Sequence, residues 1–180
     1  MLAEVATWLY VPGGRVAELL PKAARTADGI VIDLEDAVHP SARPGVRTLL
    51  PAALAALATR AGQSGPAARE GAPVPVVVRV NPVSSPDFGA DLAAVGPLLA
   101  DGRVQGIRLP KVESPTDVSR AYAVSRRFLD QPHLVPLIES ALGLRHAAEI
   151  AAETGVHSIT LGESDLRADL GLPRDGSDGG

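Results

Sequence analysis

The chain has 180 residues, 46% of them apolar, with a formal net charge of −4. A chain of this size makes one domain and hides about 70% of its unfolded surface, which excludes disorder and collagen. With 17 basic against 21 acidic residues, 3% aromatics and no Cys, it excludes a general nucleic-acid surface, disulfides and thiolate metal centres.

From the N-terminus, Thr7–Val11 is predicted as a short, near-continuously apolar strand, and Gly13-Gly14 after it is a turn signal. Val16–Thr26 places Val16, Leu19, Leu20 and Ala23 on one helical stripe. Gly29–Leu34 is the second strand and Arg43–Arg60 a long helix. Its run Leu49–Ala58 is broken by Pro51 and falls far short of the roughly 18 residues of a membrane span. Glycines and prolines between Gly62 and Pro73 read as a surface loop. Four more strands follow at Val74–Val80, Val104–Leu109, Leu134–Ile138 and Val156–Leu161, each apolar enough to be buried on both faces. Ser114 caps a helix over Thr116–Leu129, with Pro115 at its first position. Ser140 caps Ala141–Glu153, and Ser164 caps a helix starting at Asp165. Pro173–Gly180 reads as a flexible tail. The N-terminus lacks a basic stretch, so no secretory signal and a cytoplasmic location are expected.

Alternating strands and helices predict a parallel sheet, either open and doubly wound or closed as a (β/α)8 barrel. No strand leads into a glycine-rich nucleotide fingerprint, and the charges favour the barrel. Five strands finish in polar groups: Asp33-Leu34-Glu35-Asp36, Arg79-Val80-Asn81, Arg108-Leu109-Pro110-Lys111, Glu139-Ser140 and Glu163-Ser164-Asp165. Charges inside a buried strand are costly unless paired or bound, and the C-terminal ends of parallel strands are where a barrel collects its site. The expected architecture is therefore a TIM-type (β/α)8 barrel over residues 1–172, represented by about six βα units, with 173–180 as the tail.

Carboxylates without Cys suit a hard cation, Mg²⁺ or else Mn²⁺. Glu139 and Asp165 end neighbouring strands and can share such an ion. Arg79 ends a third strand and can hold a carboxylate bidentately. Each has a structural alternative: the two acids as helix N-terminal groups, and Arg79 as a partner of Asp33 or Glu35. Lys is confined to Lys22 and Lys111, so Schiff-base chemistry has one candidate at a strand end, Lys111. His39 reads as a turn residue before Pro40. His133 and His157 fall at the opposite ends of their strands, and no hydrolase triad spacing is present.

Six motifs in order, Trp8–Arg15, "VIDLEDAV" at 31–38, "VRVNP" at 78–82, "IRLPKVES" at 107–114, "PLIESALGL" at 136–144 and "LGESDLRADLG" at 161–171, resemble the citrate lyase β-subunit family. That family lies in the wider HpcH/HpaI aldolase group of metal-dependent (β/α)8 barrels. The resemblance implies a cytoplasmic, oligomeric carbon–carbon lyase, a trimer or its multiple. Such an enzyme cleaves a citryl or malyl thioester of CoA or acyl carrier protein to an acetyl thioester and a keto acid such as oxaloacetate, with Mg²⁺. It also implies Glu139 and Asp165 as metal ligands and Arg79 as the keto-acid binder, with Glu139 bordering the substrate. Glu35 and Asp36 become acids near the metal's waters, and Arg15 and Lys111 lie toward the thioester carrier. Glu35 or Asp36 is then the base that takes the substrate hydroxyl proton. The family barrel has eight strands in about 250 residues, whereas six are legible here. Two alternatives remain: a non-catalytic keto-acid- and metal-binding subunit, and a related 2-keto acid aldolase.

Overall fold

A computed structural model describes residues 5–58 and 74–172. All six expected strands are present: β1 (Trp8–Pro12), β2 (Gly29–Asp33), β3 (Val76–Arg79), β4 (Gly106–Leu109), β5 (Leu134–Ile138) and β6 (Thr160–Leu161). They form one parallel sheet in chain order. An order without reversal has no topological switch point, which sets it apart from a doubly wound sheet. The helices between the strands are α1 (Val16–Ala23), α2 (Arg43–Ala58), α3 (Phe88–Ala100), α4 (Pro115–Ser125), α5 (Ala141–Arg145) and α6 (Ala147–Ala151), and α7 (Glu163–Asp169) follows β6.

The sheet curls. Tyr10 on β1 accepts a hydrogen bond of 2.9 Å from Arg108 on β4, although three strand spacings of about 4.8 Å separate the two backbones. Such long side chains meet readily across a concave face. That face carries Trp8, Val31 and Val77. The convex face buries Ile30, Ile32, Val78, Ile107, Leu109 and Ile138 against helix residues such as Leu20, Leu50, Leu92 and Val118. Among the described residues the result is a six-stranded parallel half-barrel, short of the eight strands of the expected closed barrel. Its edges leave Leu9 on β1 43% exposed and Leu161 on β6 61% exposed.

Several boundaries differ from expectation. The helix predicted over Ala141–Glu153 is two short ones. His146 leaves helical geometry (φ −98°, ψ 10°) between them, and its Nδ1 lies 2.9 Å from the Glu113 carbonyl. The last helix starts at Glu163 with Gly162 as N-cap, so Ser164 sits inside it. α4 ends at Ser125, ahead of Leu129. The strand predicted over Val156–Leu161 pairs continuously only at Thr160–Leu161, with a separate bridge at Val156. Helix α3 buries Leu92, Val95, Gly96, Leu98 and Leu99 around much of its circumference, which is why it shows no clean apolar stripe in sequence. The loop expected between 62 and 73, the end of the helix predicted to Arg60, and the tail lie outside the described residues.

Two close fits hold the strand exits in place. At Gly13 a Cβ would come within 2.7 Å of both the Asp33 carbonyl and Val46 Cγ1, so only glycine lets the β1 exit pass this near β2. At Ser114, beyond β4, a complete capping box forms: its hydroxyl accepts from the Asp117 backbone N–H, while the Asp117 carboxylate accepts from the Ser114 N–H. Ser114→Ala removes the cap and should cost about 1 kcal/mol, read as a melting temperature lower by about 2–4 °C for a chain of this size. An unchanged thermal melt would mean that the box adds nothing to α4.

Candidate active site

Asp33 ends β2 and Arg79 ends β3, directly opposite each other in the parallel register. Their side chains make a fork-on-fork pair, Arg79 Nε donating to Asp33 Oδ1 at 2.8 Å and Nη2 to Oδ2 at 2.7 Å. Both residues are buried, so neither charge could remain without the other. Asp33 also accepts from the backbone N–H groups of Glu35 (2.9 Å) and Ala37 (3.1 Å). These bonds fold the loop after β2 back over the strand end.

The folded loop brings up the two acids beyond it. Arg79 Nη1 lies 3.1 Å from Glu35 Oε2 and 3.2 Å from Asp36 Oδ2. Lys111 Nζ lies 3.0 Å from Glu35 Oε1. Arg79 and Lys111 thus hold one Glu35 oxygen each as buried ion pairs. Burial raises the Glu35 carboxyl above its ordinary value, against the pull of Lys111 and Arg79. Arg79 is desolvated, yet Asp33, then Glu35 and Asp36, hold it more firmly protonated than a free guanidinium.

Lys111 adopts the left-handed conformation, φ 54°. This turn aims its N–H at Glu139 Oε2, 3.0 Å away, and its ammonium at Glu35. The Glu35 contact raises the Lys111 pKa, so a Schiff-base role, which needs the neutral amine, is disfavoured. Glu139 follows β5 and is buried, its acid form favoured to a pKa of about 7 by burial and by the negative charges of Glu35 and Asp165. Gly162 leaves room for it, because a Cβ there would collide with the Glu139 Cγ and carboxylate. Glu139, Asp165 and Lys111 line an open cleft of about 340 Å³ with Glu113, Ser140 and Asp169. α7 is pinned to this rim by Asp169, which accepts from the Ala141 N–H at 2.7 Å.

The structure thus gathers Glu35, Asp36, Arg79, Lys111, Glu139 and Asp165 at one end of the sheet. Arg15 is not in the cluster; it is turned to Glu18, 3.0 Å away on α1. His39 caps the short turn Pro40–Ala42. His133 and His157 stack on each other, ring centroids 5.2 Å apart, away from the cleft. Sequence reasoning missed Gly162, whose role depends on a contact with a residue 23 positions earlier. Arg108, named there only as part of a polar strand end, is buried under Trp8 and Tyr10, a role that a cation within a strand does not reveal in sequence.

The chain belongs to the HpcH/HpaI aldolase/citrate lyase family, whose model matches residues 6–179. It is 34% identical over 162 residues to a (3S)-malyl-CoA thioesterase of Cereibacter sphaeroides, covering 90% of this chain and 50% of that one. A citrate lyase subunit beta of Leuconostoc mesenteroides is 29% identical over 175 residues, 91% of this chain and 52% of that one. Among solved structures, CitE of Mycobacterium tuberculosis in complex with magnesium and pyruvate aligns with a TM-score of 0.70 at 31% identity, covering 96% of this chain and 61% of that one. The same protein with magnesium, acetoacetate and coenzyme A aligns at 0.68 and 30% identity, 96% of this chain and 54% of that one. The chain spans about half the length of the curated relatives it matches.

The raised Glu139 pKa makes a signed prediction for protein stripped of divalent cations. The folded state binds this proton more tightly than the unfolded chain, whose value is near 4.5. The stability this gives is complete below pH 4.5 and is lost as pH rises to about 7. Glu139→Gln, which mimics the protonated form, should match wild type at pH 5 and melt higher at pH 8 in EDTA. Equal melting temperatures at both pH values would contradict the burial argument.

Proposed function

We propose that this chain carries the metal- and keto-acid-binding part of an Mg²⁺-dependent carbon–carbon lyase acting on malyl- or citryl-type thioesters. The observation that carries the reading is the convergence of Glu139 and Asp165 on one cleft beside the Arg79–Glu35–Lys111 cluster. No third His, Asp, Glu or Cys joins these two as a ligand group among the described residues. That donor set fits Mg²⁺, which takes one or two carboxylates and leaves its other positions to water and substrate oxygens. The upward shift of Glu139 fits as well, since a cation there would offset both the burial of its charge and the neighbouring carboxylates that cause it. Bound Mg²⁺ would supply Lewis-acid polarisation of substrate oxygens. The relatives found with magnesium and keto acids support the assignment.

The chain's own residues then divide the work. Glu35, buried between Arg79 and Lys111, takes the hydroxyl proton of the substrate, with Asp36 on the same loop as the second candidate. The bond between the hydroxyl-bearing carbon and the thioester's α-carbon breaks, its electron pair passing to the α-carbon, which takes up a proton to become the acetyl thioester. The former hydroxyl carbon becomes the keto-acid carbonyl. Arg79 Nη1 faces the substrate side and holds a carboxylate, while Nε and Nη2 stay with Asp33. Lys111 anchors Glu35, and with Arg15 on the outer rim it faces the carrier, CoA or acyl carrier protein. A homo-oligomer, which would cover the exposed edge residues, and a cytoplasmic location complete the reading. Among the described residues no helix is long and apolar enough to cross a membrane.

Calorimetry with Mg²⁺ and oxaloacetate tests the site. Wild type should bind oxaloacetate only with Mg²⁺. The Glu139→Ala, Asp165→Ala double variant should lose Mg²⁺ affinity by at least about tenfold, 1.4 kcal/mol. Equal Mg²⁺ binding by both proteins would refute it. Incubation with malyl-CoA or citryl-CoA tests the chemistry: acetyl-CoA and a keto acid are expected. Free CoA and malate would instead place the chain with the thioesterases among its relatives, and binding without turnover would make it a non-catalytic subunit.

A further inference from the structure

Asp91, on the first turn of α3, is completely buried and lies outside the cleft. Three donors converge on its two oxygens. Arg47 Nε on α2 donates to Oδ1 at 2.7 Å, and Asn81 donates to Oδ2 twice, through its backbone N–H at 2.7 Å and its side-chain amide at 2.8 Å. The same Asn81 amide donates to the Leu34 carbonyl at 3.1 Å. The Leu34 N–H in turn donates to the Arg79 carbonyl at 2.9 Å. Leu34 is the residue between Asp33, which grips Arg79, and Glu35, which faces Lys111.

We infer that Asp91 is a positioning residue that sets the height of the Glu35–Asp36 loop through Asn81 and the Leu34 carbonyl. Any amide in its place must turn an NH₂ toward a donor, Arg47 in one rotamer and Asn81 in the other, so one side of the bridge breaks. A purely structural ion pair would need only Arg47. The two donations from Asn81 tie the β3 exit to α3, and the one from its amide orients a side chain whose other bond is to the loop carrying the acids. The functional half of the inference rests on the proposed lyase site, and the mechanical half does not.

Three variants of the full chain test it: Asp91→Asn, Asn81→Ala, and Arg43→Met as a control that removes the Arg43–Asp87 pair and leaves the Arg47 contacts to Asp87 and Asp91 in place. Hydrogen exchange of the amides at 34–38 should speed up in Asp91→Asn and Asn81→Ala and stay at wild-type rates in Arg43→Met. Oxaloacetate affinity at saturating Mg²⁺ should fall about tenfold or more in the first two, within the range seen for groups that orient a metal site's ligands. The Asp91→Asn, Asn81→Ala pair should be no worse than either alone, as expected for one coupled unit. Arg43→Met should lower the melting temperature with binding intact. Unchanged exchange at 34–38 in Asp91→Asn overturns the inference, as does a binding loss that merely tracks melting temperature across all three variants. If wild type fails to bind oxaloacetate with Mg²⁺, the lyase reading falls, and the exchange comparison still decides whether Asp91 positions the loop.

Discussion

The site depends on one buried contact between adjacent strands, the two-pronged pair of Asp33 and Arg79. Each charge is offset by the other, because neither strand end could enter the interior alone. The pair does more than neutralise. Arg79 presents a planar fork, so Asp33 can satisfy two of its nitrogens and still accept the backbone N–H groups of Glu35 and Ala37. One carboxylate thereby locks the strand register and folds the loop after β2. The third nitrogen of Arg79 is left pointing at Glu35 and Asp36. A lysine at 79 would keep the charge and lose this division of labour.

Around that pair the parallel sheet does the gathering. Every strand runs the same way, so every strand's last residue reaches the same rim, and curvature brings those rims together. Residues as distant in sequence as Glu35, Lys111 and Glu139 therefore meet with few special contacts. Where the approach is tight, the chain uses glycine at Gly162 and a left-handed backbone at Lys111. Both permit a geometry that the common residue or conformation would forbid.

The same geometry decides what is legible in the sequence. Six apolar runs, the polar strand ends and the Ser114 cap are readable because each is local: a short apolar run, a charge beside it, a cap four residues long. Glu139 and Asp165 are legible as a pair because strand ends converge in any such fold. Arg79 is harder, since its sequence neighbourhood is the same whether it grips Asp33 or a ligand, and the structure has it gripping Asp33 with two nitrogens and facing Glu35 and Asp36 with the third. The displacement of Arg15 toward Glu18 is a rotamer choice on an exposed helix start, invisible to pattern. Asp91 is silent for another reason: on an α3 apolar nearly all round, a single acid looks like an exposed position, and only the contacts from Arg47 and Asn81 reveal that it is buried.

The charge balance of the rim gives the arrangement its chemical direction. The carboxylates of Asp33, Glu35, Asp36, Glu139 and Asp165, with Glu113 and Asp169 further along the cleft, outnumber the cations Arg79 and Lys111. Asp33 is satisfied by Arg79, and Glu35 is shared between both cations. The uncompensated acids are those lining the cleft, where Glu139 is driven toward its protonated form by burial and by its neighbours. A fold under selection for stability alone would replace such a residue with Gln or an apolar group. Keeping an acid there costs stability at neutral pH unless a cation shares the cleft. A divalent ion in the cleft would offset both the burial of Glu139 and the charges of Glu35 and Asp165 that together raise it.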